Sequence, residues 1–209
     1  MKKIRVLTVS NTVWSNQNSF GLTYNALFDG LEDTFEFANI YCNYGVPENN
    51  CVKDYCQITE KSILSQIKNK KEKMCRIFNK QNATEVSSVL SAGEANRLKT
   101  VKKSRLQFSL WVRDLVWKKG LRDMSEIVDF VNKFNPDILF TPMYYMFHTN
   151  RILQTVIKTA NVPVIAYISD DIYRTESYLD FPFAMIDRFF KKKDYKKINI
   201  DVRYALCCM

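Results

Sequence analysis

The chain has 209 residues, 46% hydrophobic and 13% aromatic, enough to bury a substantial core and to exclude disorder along its whole length. Its 31 Lys and Arg against 22 Asp and Glu leave a net charge of +9, which points to a polyanion, an anionic lipid or a phosphorylated ligand as partner. Five glycines and five prolines exclude a collagen-like or linker-rich design, and a single histidine, His148, excludes zinc sites built on two or more imidazoles.

Taken in chain order, the β-branched run from Ile4 to Val9 predicts a buried strand. A polar stretch from Ser10 to Ser19 leads into a helix over 20–28, with Leu22, Ala26 and Leu27 on one face and Ser19 available as its cap. The alternation from Phe35 to Cys42 predicts a second strand, and strand, helix, strand in forty residues is a βαβ unit of a parallel sheet. From Glu60 to Arg105 twelve basic residues face four acidic ones, so this stretch carries +8 of the total charge. It shows no strand pattern and reads as a mobile, basic helical insertion, about residues 60–120 once the next helix is included.

That helix runs from Gln107 to Lys119, with Phe108, Trp111, Val112, Leu115 and Val116 as its apolar stripe and Gly120 as its stop. Ile127, Phe130, Val131 and Phe134 mark another helix over 124–134, broken by Asn135, Pro136 and Asp137. A strand over 138–141, a helix over 149–160 and a strand over 162–168 restore the α/β rhythm. The expected fold is therefore α/β, a doubly wound parallel sheet over residues 1–193. Residues 194–209 lose any helical face and read as an irregular tail, the pattern expected of a frameshift or truncation.

In such a sheet, ligands bind beyond the carboxyl ends of the strands, which selects the loops over 10–21, 142–148 and 169–174. Gly21 either admits a phosphate or sugar to backbone amides at a helix start or simply serves the helix-start geometry. Asp170 and Asp171 follow a strand, where a carboxylate serves as general base, binds sugar hydroxyls or caps the next helix. Tyr144 either stacks on a sugar ring or packs in the core, and His148 is the one imidazole on offer for proton transfer. No dinucleotide fingerprint and no P-loop are present. The six cysteines lack metal-ligand spacing and read as free thiols of a reducing compartment; no metal and no cofactor are expected.

The opening run Lys3–Ser10, Gly21 at a helix start, the segment Phe134–Phe140 and the segment Val162–Asp171 resemble the bacterial GT-B glycosyltransferases of cell-surface polysaccharide synthesis, the group related to glycosyltransferase family four. The resemblance spans about Lys2 to Phe190, the basic stretch matching poorly, and rests on order and spacing. It implies the N-terminal, acceptor-side domain of an enzyme that moves a sugar from a nucleotide-sugar co-substrate to a glycan or lipid-linked acceptor. On the same resemblance Gly21 lies near the donor diphosphate, and Ser169-Asp170 occupies the place of the family's common His-Asp pair, with Ser169 where the family has His. From their loop positions Ser19, Tyr144, His148 and Ser169 are candidate substrate contacts, and Asp170 or Asp171 is the candidate for acceptor contact or general base. The donor-binding domain and its paired-glutamate motif are absent, which implies an inactive half or a subunit that needs a partner chain.

Trp111 and Trp117 among lysines and arginines further suggest contact with the inner face of a membrane, or else a stripe packed on the sheet. No run approaches the ~18 apolar residues of a membrane span, so the chain is expected in the cytoplasm, peripheral on the membrane at most. A non-enzymatic nucleic-acid-binding module is the rival from another class. The basic stretch is its only feature, without RRM, zinc or helix-turn-helix signatures.

Overall fold

The β-branched segments do what their composition demands, and the computed structural model describes the result for residues 2–82, 107–143, 146–168 and 204–207. Strand β1 (Ile4–Ser10) is buried from Val6 onward and lies at the centre of the sheet. It pairs in parallel with β2 (Phe35–Tyr41) on one side and with β5 (Ile138–Pro142) on the other. β3 (Val52–Ile58) extends the sheet beyond β2, and β4 (Cys75–Asn79) closes that edge antiparallel to β3. Beyond β5 come β6 (Val164–Ile168) and β7 (Tyr204–Cys207), both parallel. The order is β4-β3-β2-β1-β5-β6-β7. Without the antiparallel edge strand it is the 3-2-1-4-5-6 order of a Rossmann-like doubly wound sheet.

Helices cover both faces. Helix α1 (Ser19–Phe28) packs on one face over Val6, Phe37, Tyr41, Val52, Tyr55 and Phe140. The other face, with Leu7, Val9, Ala38, Ile40, Leu139 and Val164, receives α2 (Glu60–Lys68), α3 (Gln107–Gly120), α4 (Ser125–Phe134) and α5 (Phe147–Ala160). Thr59 starts α2 through a reciprocal capping box with Ser62. α4 and α5 each end on an asparagine in the left-handed region, Asn135 and Asn161, both at φ 50°, a conformation asparagine tolerates at helix ends.

Several expectations need correction. β3 and β4 were not anticipated, because Lys53 and Asp54 interrupt the first and charged residues crowd the second; α2 and β4 are parts of the sheet framework rather than of an insertion. Residues 83–106 lie outside the described residues. β7 falls in the segment expected to be irregular. On α1, Leu22 and Leu27 are exposed (55% and 46%) while Gly21 and Tyr24 are buried. Rings at 20, 24 and 28 form the true inner stripe, because they complete an aromatic cluster with Trp14, Phe37 and Phe140.

On α3 the expected stripe is likewise rotated. Leu115 is 52% exposed, whereas Trp117, Gly120 and Leu121 face inward. Gly120 lets the two helices approach closely in this rotation: a Cβ there would sit 2.4 Å from Ile63 Cγ2 of α2, and that side chain would have to shift to admit it. Arg113 of α3 reaches Glu60 of α2 at 3.9 Å on the same side.

Candidate functional site at the sheet switch point

The strand order reverses between β1 and β5, the point at which doubly wound sheets in general bind ligands beyond the carboxyl ends of their strands. The polar residues inside the strands converge on it. Thr8, Ser10, Asn39 and Thr141 are all buried, and each buried polar group needs a partner. The Asn39 amide donates to Thr8 Oγ1 at 2.7 Å and to Ser10 Oγ at 3.0 Å. Ser10 Oγ donates to the Thr12 carbonyl at 2.8 Å, and Thr141 Oγ1 to the Val9 carbonyl at 2.9 Å. These bonds stitch the tips of β1, β2 and β5 together and fix where the next loop residues start.

His148, in the first turn of α5, meets that stitched edge. Its ring is 3% exposed and stacks on Trp117 of α3, with centroids 4.3 Å apart and planes 17° from parallel. Nε2 donates to Asn11 Oδ1 at 3.2 Å, which leaves Nδ1 as the bare acceptor of a neutral imidazole, buried and without a partner among the described residues. Burial, with the nearby Arg113 guanidinium adding to it, pushes the ring's pKa down to about 3. At neutral pH the group is therefore a hydrogen-bonding imidazole and a weak base. Around it, α5 begins at Phe147 without a side-chain cap, and Thr149 and Asn150 are buried beside it.

The loop from Asn11 to Asn18 is held from the other face. Trp14 is fully buried in the aromatic cluster. Its carbonyl accepts from the Glu48 amide at 3.1 Å and from Asn49 Nδ2 at 3.0 Å. Ser15 Oγ donates to Glu48 at 3.2 Å, and Asn18 Nδ2 to the Val13 carbonyl at 2.9 Å.

No protein-family model, curated protein or solved structure matches the chain.

Of the residues selected from sequence, His148 stands at the switch point. Gly21 has a packing role: its amide donates to Asn18 Oδ1 at 2.8 Å, and a Cβ on it would lie 2.0 Å from the Ser15 carbonyl oxygen. Asn18, rather than Ser19, is the helix cap, and Ser19 is exposed as the first helical residue. Tyr144, Ser169, Asp170 and Asp171 lie outside the described residues, as does the side chain of Trp111. Trp117 is buried against His148 (1% exposed), so its ring is not presented to a membrane. Sequence reasoning missed Asn11 and the Thr8, Ser10, Asn39 and Thr141 cluster. The available signal was polar residues interrupting otherwise β-branched strands near their carboxyl ends.

The buried thiols of Cys42 and Cys56 are held protonated. Burial pushes Cys42 up to about 12, and Cys56, hydrogen-bonded with Cys75, is raised as well. Among the described residues Asp29, Glu32 and Cys51 form the one trio with ligand atoms close together, within 4.8 Å. The Cys51 thiol instead donates to the Phe28 carbonyl and to Glu32, and burial pushes it up to about 11, against a thiolate ligand. No helix among the described residues is long and apolar enough to cross a membrane.

Proposed function

We propose that this chain is the acceptor-side half of a GT-B glycosyltransferase, holding a glycan or lipid-linked acceptor at the switch point while a donor-binding domain presents the nucleotide-sugar. One observation carries the reading. A buried neutral imidazole with a free acceptor nitrogen sits beside Asn11 where the strand order reverses, and such a pair suits the hydroxyls of an uncharged sugar. In the reaction an acceptor hydroxyl oxygen bonds to the anomeric carbon as the bond to the nucleoside diphosphate breaks. The hydroxyl proton passes to a carboxylate, for which Asp170 or Asp171, following β6 in the chain, is the assignment. His148, a weak base, orients the hydroxyl. The reading uses no metal, the diphosphate charge being met by helix amides and basic side chains.

The test is a titration of the isotope-labelled chain with a panel of oligosaccharides, followed through its amide resonances. Shifts centred on Asn11, Thr12, His148 and Thr149 that vanish in Asn11→Ala support the reading. Absence of shifts with every saccharide, or shifts confined to another region, refutes it. Salt-steep binding of mixed-sequence DNA would favour a nucleic-acid module instead.

A further inference from the structure

On the helical face of the sheet a cavity of about 700 Å³ opens between the end of α3 and the start of α5, within the range of small-molecule sites. Four of its lining residues are cationic: Lys118 and Lys119 from the last turn of α3, Arg122 from the turn that follows, and Arg151 from α5. Among the described residues no acidic residue lines it and none of the four cations forms an ion pair. Four cations around one hollow repel one another and are settled by a multiply charged anion.

The rest of the lining gives the anion its character. Leu115, Leu121 and Phe147 supply apolar wall. Leu115 is half exposed, and Val112, one turn earlier on α3, is 37% exposed. Exposed aliphatic side chains beside a cationic hollow suit a ligand that continues into an apolar chain. A soluble phosphate or a nucleic-acid backbone has no use for them.

We propose that this cavity binds the phosphate of a phosphorylated lipid presented in a bilayer, with Lys118, Lys119, Arg122 and Arg151 around the headgroup and Val112, Leu115 and Phe147 against the acyl region. The site is distinct from the expected tryptophan contact, since Trp117 is committed to His148 on the inner side of the same helix. It does not depend on the glycosyl-transfer reading: saccharide-induced shifts at Asn11 and His148 report on that reading alone.

Co-sedimentation with vesicles tests it. The probes are phosphatidylcholine vesicles, equimolar phosphatidylcholine and phosphatidic acid vesicles, and inorganic diphosphate and mixed-sequence DNA as soluble competitors. The expected result is binding to the anionic vesicles only. It weakens about tenfold or more in Arg122→Glu/Arg151→Glu, falls in Leu115→Ser, and is retained in Lys70→Glu/Lys71→Glu, a control of equal charge away from the cavity. Circular dichroism checks that each variant is folded. Equal binding to neutral vesicles, or no binding to either, overturns the proposal. So does an equal loss in the Lys70/Lys71 control, which would reduce the effect to net charge. Full competition by diphosphate or DNA with no effect of Leu115→Ser would overturn the lipid assignment.

Discussion

Acidification should unfold this protein partly through one residue. His148 is the only histidine in the chain, it is neutral in the native state, and its pKa is pushed down to about 3 by burial and Arg113. In the unfolded chain an imidazole takes up its proton near pH 6.5. Below that point the unfolded state binds more protons than the native state, so stability falls as pH falls, from about 6.5 until the native ring itself protonates near 3. At pH 5 the native ring still carries no proton, so the size is set by the unfolded imidazole and comes to about 2 kcal/mol. Urea unfolding at pH 7.5 and pH 5 measures it, with His148→Phe as reference. The phenyl ring keeps a stacking partner for Trp117 but has nothing to protonate, so carboxylate titrations cancel in the difference between the two proteins. The wild-type chain should lose about 2 kcal/mol more than the variant. The single imidazole resonance of the folded protein should stay unshifted over the same range. A native titration near pH 6.5, or parallel stability profiles, would refute the account of His148 as a desolvated neutral ring.

Four further outcomes follow from close contacts and burial. Gly21→Ala places a Cβ 2.0 Å from the Ser15 carbonyl oxygen; because backbone must move, chemical denaturation should show a loss on the order of 3 kcal/mol. Gly120→Ala meets a side chain instead, Ile63, so its cost should be about 1–2 kcal/mol, and a double-mutant cycle with Ile63→Ala should recover part of it. Glu126 in the first turn of α4 accepts from the Met74 amide at 2.9 Å and the Cys75 amide at 3.1 Å. Glu126→Ala orphans both and should cost roughly 2–4 kcal/mol, with Glu126→Gln costing about half of that. Cys42, Cys56 and Cys75 should resist a thiol reagent at pH 8 in the native state and react when urea is added; rapid native labelling of Cys42 would contradict its burial.

The parallel framework was legible because its strands are apolar on both faces, so β1, β2, β5 and β6 stand out as short β-branched runs between loops. The strands at the β4 end of the sheet carry no such mark. β3, next to the edge, has exposed Lys53 and half-buried Asp54 near its start, before the buried run from Tyr55 to Ile58, and the edge strand β4 has exposed Arg76 and Ile77 between buried Cys75 and Phe78, with lysines on either side, a pattern that charge counting assigns to a solvated helix. Helix existence was legible and helix rotation was not. A periodicity fixes which residues share a face, but the face that turns inward is chosen by shape. On α1 the aromatic spacing over Phe37 and Phe140 chooses it, and on α3 Gly120 allows it through its close approach to Ile63.

The same reasoning explains why the candidate site was half visible. The loops beyond the carboxyl ends follow from topology, and topology follows from the strand runs. Asn11 and Asn39 have no motif, since a hydrogen-bonded asparagine at a strand tip looks in sequence like any loop residue or β-interruption. His148 was singled out for being the only histidine, and proton transfer was one role open to it. Its neighbours decide otherwise. Trp117, drawn by sequence toward a membrane, is spent on desolvating the imidazole; desolvation keeps the ring neutral, and Asn11, by accepting from Nε2, turns the free lone pair of Nδ1 into the site's acceptor. Lys118, the residue after Trp117, then lines a cavity on the outer side of the same contact, together with Lys119, Arg122 and Arg151, one turn beyond Phe147 on α5. One helix–helix packing thus holds a desolvated neutral imidazole on its inner side and a cationic, apolar-walled hollow on its outer side.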